Sequence, residues 1–190
     1  YGEALSASIL TGGIGDVPGT FSFVTPSAQP DAGTHTADLA FTPADGSNYN
    51  VVSGTVDVTV NKAIPVVSAW PSPSDITYGE TLADVALTGA VVDAPGTFVF
   101  DAPGTQPDAG VYVFGMTFIP DSPENYEQVQ TTLSVTILQA IPEVTTWPTA
   151  EAIQYGEPLS ASTLTGGAAD VAGTFSFGSL TDLPHAGITT

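Results

Sequence analysis

Three aspartates, Asp16, Asp93 and Asp170, stand 77 residues apart, each in a loop bounded by Gly or Pro. Asp121 and Glu124 share another irregular loop, Asp121-Ser-Pro-Glu124. Calcium takes roughly six to eight oxygen ligands from carboxylates and backbone carbonyls, and such loops supply both. These five residues are therefore the candidate metal ligands, and calcium is the candidate ion. Glu3, Glu80 and Glu157 recur in the same way, each after a Tyr-Gly pair. No Asp-x-Asp-x-Asp-Gly string is present, so no standard calcium loop is encoded. The plainer use of the same acids is to shape turns by bonding to nearby backbone.

Other chemistry is poorly supplied. Hydrolysis by an activated serine needs a base, and the chain has only 2 histidines, His35 and His185. Neither position is His in the other copies of its segment. Carboxylate pairs are abundant, but in so acidic a chain their abundance carries no information. The sequence is read as a non-enzyme.

Composition narrows the partners. Lys+Arg is 1 against 20 Asp+Glu, a net charge of −19. A chain with a single cationic side chain cannot neutralise a run of phosphates, which effectively excludes nucleic acid. It excludes an anionic membrane surface for the same reason. No apolar run reaches the length that spans a bilayer, so no membrane insertion is expected in this segment. The hydrophobic share, 42%, is enough for a packed core. Cysteine is absent. Secreted eukaryotic modules often carry disulfides, so the composition fits an exported bacterial or archaeal protein. Lys62 is the only lysine, and Gln139 stands at its repeat position. A Lys–Asn isopeptide repeated in each copy is thereby excluded.

The positioning elements follow from a repeat. Tyr1-Gly2-Glu3 returns as Tyr78-Gly79-Glu80 and Tyr155-Gly156-Glu157, and Gly19-Thr20-Phe21 returns at 96 and 173. Of the first 36 positions, 15 hold one residue in all three copies, without insertion or deletion. A fixed period of this size reads as an array of small modules. The boundaries are set at 1–64 (first strand missing), 65–141 (complete) and 142–190 (C-terminal strands missing). Pro65 and Pro142 open the second and third modules and restrict bending there. The neighbouring modules of the chain are the first partners to expect.

Gly and Pro fall every few residues, and no helical period survives three turns. The remaining tracts alternate, as in Val56, Val58 and Val60 against Thr55, Asp57 and Thr59. That is the mark of half-buried antiparallel strands. The fold expected is all-β: a tandem array of Ig-like β-sandwich modules with a 77-residue period, about six or seven strands each. The tract Leu82–Pro95 is the hardest to partition. Asp108-Ala-Gly-Val-Tyr112 resembles the tyrosine corner of such sandwiches, in which the Tyr hydroxyl bonds back to upstream backbone. Tyr49 and Tyr126 stand before the last strand and are expected to fix that turn. Trp70 and Trp147 precede Pro near the boundary. Packing against the neighbouring module is the expected use, with stacking on surface glycan as the other.

Together these motifs are similar to one type of bacterial module. The pattern runs Ile76–Leu82, Gly96–Phe100, Pro107–Gly110, Phe118–Pro120, Asn125-Tyr126, Val135–Ile137 and Ala140–Pro142. It resembles the MBG-type Ig-like repeats of very large surface proteins and adhesins, across the whole chain. The resemblance implies an extracellular, cell-surface β-sandwich array with a stalk or adhesive role and no catalytic residues. The first alternative is a filament whose modules associate between chains by strand donation. The second is an adhesin module that binds glycan or another surface. The third is an accessory array of a hydrolase.

Overall fold

The computed structural model describes residues 1–184. Among them the chain is all-β, with short strands and three single 3-10 turns. It forms two compact units, Tyr1–Leu138 and Gln139–Thr190, of which 185–190 lie outside the described residues. The first and second copies thus share one unit.

In the first copy, β1 (Gly19–Phe23), β2 (Gly33–Pro43) and β3 (Val52–Val60) form a three-stranded antiparallel sheet. Phe21 lies opposite Phe41, and Phe41 opposite Val52. The second copy starts with β4 (Val67–Ala69), β5 (Ser72–Pro73) and β6 (Ile76–Thr77). A 3-10 turn at Leu82–Asp84 follows, then β7 (Leu87–Thr88) and β8 (Val91–Val92), which resolves the difficult tract. Next come β9 (Gly96–Phe100), β10 (Gly110–Pro120) and β11 (Val129–Leu138). The last three begin 77 residues after β1, β2 and β3 and keep the same register, with Phe98 opposite Phe118 and Phe118 opposite Val129. The strand β6 adds to this sheet in parallel, Ile76 beside Ile137. Two ribbons, β4 with β8 and β5 with β7, complete the copy. The arrangement is consistent with a β-sandwich.

Alternation places the core. Along β10, Met116 and Phe118 are fully buried, and β11 adds Val135 and Ile137. Leu82, Val85, Ile76 and Phe100 join the same cluster, with Trp70, Leu87 and Phe98 packed on it. The Gly that opens Gly-Thr-Phe is a packing requirement. A Cβ at Gly96 would stand 2.5 Å from the Phe118 ring and 2.5 Å from the Ile119 carbonyl oxygen. The first copy has a smaller cluster: Leu5, Phe23 and Ala37, flanked by Leu10, Leu39, Val56 and Val58.

The second unit is thinner. It contains β12 (Val144–Thr146), β13 (Thr149–Ala150), a 3-10 turn at Leu159–Ala161, β14 (Leu164–Thr165) and β15 (Ala168–Ala169). These pair only as β12 with β15 and β13 with β14. None of its described residues is fully buried.

Candidate functional site: the clasp between the first two copies

The best-built polar site lies where the first copy meets the second. It is centred on Asn125, in the loop that precedes β11. Two hydrogen bonds shape that loop locally: the Asn125 and Tyr126 N–H groups both donate to the Ser122 carbonyl, at 3.0 Å each. This turn aims the Asn125 side chain at the first copy. Asn125 is only 5% exposed, yet every polar group of its side chain is used. Its Oδ1 accepts from the Ala32 N–H at 2.8 Å, and its Nδ2 donates to Asp31 Oδ1 at 3.0 Å.

The backbone doubles the contact. The Ala63 N–H donates to the Asn125 carbonyl, and the Glu127 N–H to the Ala63 carbonyl, at 2.9 Å each. Ala63 and Tyr126 thereby form a parallel bridge. The ring of Tyr126 meets Tyr1 edge-on at 5.3 Å. Lys62 Nζ donates to the Pro123 carbonyl at 2.7 Å. The Asp121–Glu124 loop thus faces the first copy and receives an ammonium there. Pro65 is buried just past the bridge, so the covalent link is short and held on both sides.

A buried amide whose oxygen and nitrogen both have partners is selective as well as stabilising. Removing one partner leaves a donor or acceptor without water, at a cost of about 1–3 kcal/mol. These bonds hold two segments of the chain at a fixed register.

The recurring acids also act on backbone. Asp93 Oδ1 accepts from the Val66 N–H at 2.8 Å, and the Asp93 N–H donates to the Val66 carbonyl at 3.3 Å. Asp170 repeats this with Glu143, at 2.9 Å and 3.0 Å. Glu80 Oε2 accepts from the Thr77 N–H at 2.5 Å, and Glu157 Oε2 from the Gln154 N–H at 2.7 Å. Among the described residues no three His, Cys, Asp or Glu side chains come together as a metal group. Asp16, Asp121 and Glu124 are exposed, and none of them belongs to such a group among the described residues.

Other expected residues fall as follows. Trp70 packs edge-on against Phe98, 5.6 Å between centroids, and joins the core of its own copy. The sequence reading had it against a neighbour. Trp147 is 72% exposed and lies edge-on to Phe175. Pro142 and Asp108 are exposed. Tyr112 is exposed and lies beside Phe114, and among the described residues its hydroxyl makes no hydrogen bond. In the first copy His35 makes the back-bond instead, Nε2 to the Asp31 carbonyl at 2.7 Å. His185 lies outside the described residues. Tyr49, the repeat counterpart of Tyr126, is 49% exposed.

Sequence reasoning placed Tyr126 in this loop and missed the role of Asn125. The signal was present: Asn-Tyr recurs at 48 and 125, and Asp-Ala-Gly at 31 and 108. What was missing is that the two motifs meet across the boundary. No family model, curated protein or solved structure matches the chain.

Proposed function

We propose that this chain is part of a long acidic extracellular fibre or stalk on a prokaryotic cell surface, built from Ig-like sandwich modules at a 77-residue period. Its task is mechanical. It spaces something away from the cell and resists bending. The observation that carries this reading is the buried Asn125 clasp. A flexible linker would need no buried amide and no backbone bridge at the boundary. The net charge of −19 supports it, since like-charged fibres stay soluble and apart. The absence of cysteine suits an exported prokaryotic chain, and the resemblance to MBG-type surface repeats points the same way.

The test is Asn125→Ala. It removes the acceptor for Ala32 and the donor to Asp31, and should weaken the junction by about 1–3 kcal/mol. Small-angle scattering should show a wider spread of end-to-end distances, while circular dichroism keeps its β signal. A scattering profile identical to that of the parent chain would sink the stiff-spacer reading.

A further inference from the structure

The strand β10 outruns its neighbour β9. It pairs with β11 along Gly110–Phe118, but β9 covers it only from Met116 to Pro120. The first half of β10 therefore leaves one edge open, inside the second copy, whose strands β4 to β11 are all described. The connection after β9 does not close the gap. It turns away to the 3-10 turn, where the Leu82 N–H donates to the Thr105 carbonyl at 3.1 Å and the Ala83 N–H to the Pro103 carbonyl at 2.9 Å. On the β9 side the Gly115 carbonyl accepts from the Asp101 N–H at 3.0 Å. In an antiparallel strand alternate residues turn their polar groups the same way. Val113 and Val111 thus aim N–H and C=O at the open side.

Three consecutive side chains on this edge reach water: Val111 is 67% exposed, Tyr112 40% and Val113 64%. Val111 and Val113 share the outer face of the sheet with Thr136 and Ser134, which lie opposite them on β11. The first copy has the same edge with another surface. Thr34, Thr36 and Asp38 stand where the second has Val111, Val113 and Gly115, and Asp57 stands for Ser134. Asp57 accepts from the Thr36 hydroxyl at 2.7 Å, so its carboxylate lies on the outer face next to the edge. Charge beside an open edge is a guard against pairing. The second copy has β-branched apolar residues where the first carries that guard.

The segment also says what can cover it. Val111-Tyr112-Val113 reads the same in both directions. Laid antiparallel on itself, it puts Val111 opposite Val113, Tyr112 opposite Tyr112, and Gly110 opposite Phe114. A contact about a two-fold axis must be self-complementary in this way. In a chain of net charge −19, an edge without acids is also where two copies meet with least repulsion.

We propose that Gly110–Phe114 pairs antiparallel with the same segment of a second molecule of this chain, joining two chains side by side. The added strand continues the line of β9 past Phe100. Val111 and Val113 of each chain exchange main-chain bonds with Val113 and Val111 of the other, and the valines meet on the outer face. The contact closes at two chains, and charge elsewhere keeps the pairs apart. An interface this short belongs to the weak class, below about 1,200 Å². Asp101, which a Cβ at Gly115 would strike, and Asp108 flank the edge, so screening by salt should tighten the pair. The inference goes beyond the spacer reading, which concerns one chain.

The experiment uses the full 190-residue chain. Sedimentation velocity, carried to about 1 mM because small interfaces are weak, should show a dimer and nothing larger, favoured by salt. Amide exchange should slow at Val111 and Val113 as concentration rises, while Thr34 and Thr36 keep their rates. Tyr112→Cys, oxidised at high concentration, should give a covalent dimer, since directly opposed non-hydrogen-bonded residues lie about 4.5 Å apart at Cα, within disulfide reach. Val113→Pro removes an N–H that its own ladder does not use and should weaken association about tenfold or more, with the circular dichroism still β. Val113→Asp, which keeps the N–H and adds charge at the edge, should act likewise. A parent chain that is monomeric throughout overturns the proposal. So does association that both Val113 variants leave unchanged, or that slows exchange at Thr34 and Thr36 equally. The scattering test of Asn125 is read on dilute monomer, so the two readings fall separately.

Discussion

The first and second copies share three strands at matching positions and registers, and differ in what covers them. In the second, Phe118 is fully buried, because Trp70, Phe98 and the 65–77 segment close over the sheet. In the first, Phe41 stands at the same position in β2, stacked on Phe21 at 4.8 Å, and remains half-buried. The side chains facing inward are also smaller: Ala37 and Leu39 replace Phe114 and Met116. The lesson is that sheet pairing and core formation are separable here. Alternation and turn residues suffice for the ladder. In the second copy Ile76, Leu82 and Trp70 join the cluster that completes the burial.

The sharpest way to break the comparison is to cut matched aromatics. Phe118→Ala should cost roughly 3–5 kcal/mol, the range for a buried Phe. Phe41→Ala should cost clearly less, about 1–3 kcal/mol, because its ring is already partly in water. Thermal melts followed by circular dichroism would compare them. Equal losses would mean the first copy is as well packed as the second.

A smaller effect is expected at the shared boundary. Lys62→Ala deletes the bond to the Pro123 carbonyl, which lies at the surface. The loss should be about 1 kcal/mol or less, and the Lys62→Gln change should be milder, since Gln139 stands at the repeat position. Denaturant melts would resolve the pair, and a loss as large as that of Asn125→Ala would move the centre of the clasp to Lys62.

The smallest effect separates the copies by pH. Asp84 accepts from the Thr81 N–H and the Thr81 hydroxyl, both at 2.8 Å, and caps the 3-10 turn at Leu82–Asp84. The Thr81 backbone bond, then the hydroxyl, hold its carboxyl below the usual carboxylate value. The folded state therefore favours the ionised form. Its contribution is complete above the unfolded pKa, near 3.8, and fades as pH falls through the lower folded value. The first and third copies have Ala7 and Ala161 there and lack this dependence. Asp84→Asn should lessen the acid sensitivity of the second copy alone, as read by amide exchange at Leu82–Val85 between pH 5 and about 2.5. Equal protection in mutant and parent across that range would discard the effect.

Much of the fold was legible because its signals are local. The β-branched alternation of Val56–Val60 and the Phe-x-Phe tracts gave the strands. The Tyr-Gly-Glu recurrence also has a local cause: Gly2, Gly79 and Gly156 all take positive φ, at 88°, 103° and 92°. The clasp was not legible because its partners are far apart in sequence. Asn125 meets Asp31 and Ala32 across more than 90 residues, and no pattern along the chain announces such a meeting. The recurring acids are ambiguous in sequence for a related reason. A carboxylate that accepts a backbone N–H and one that binds a cation have the same sequence, and only the fold shows which donor reaches Asp93. Nearness to Pro65 suggests the boundary for Trp70, but its ring packs edge-on against Phe98 in the core of its own copy.

The sole lysine has a consequence for durability. A protease that cuts after Lys or Arg finds a single target bond in the entire chain, Lys62–Ala63. Both polar groups of Ala63 are engaged in the bridge to the second copy. Cleavage must therefore await the opening of the clasp, and its rate follows how often the clasp opens. The joint between the two copies thus also shields the one bond in this sequence that such enzymes cut.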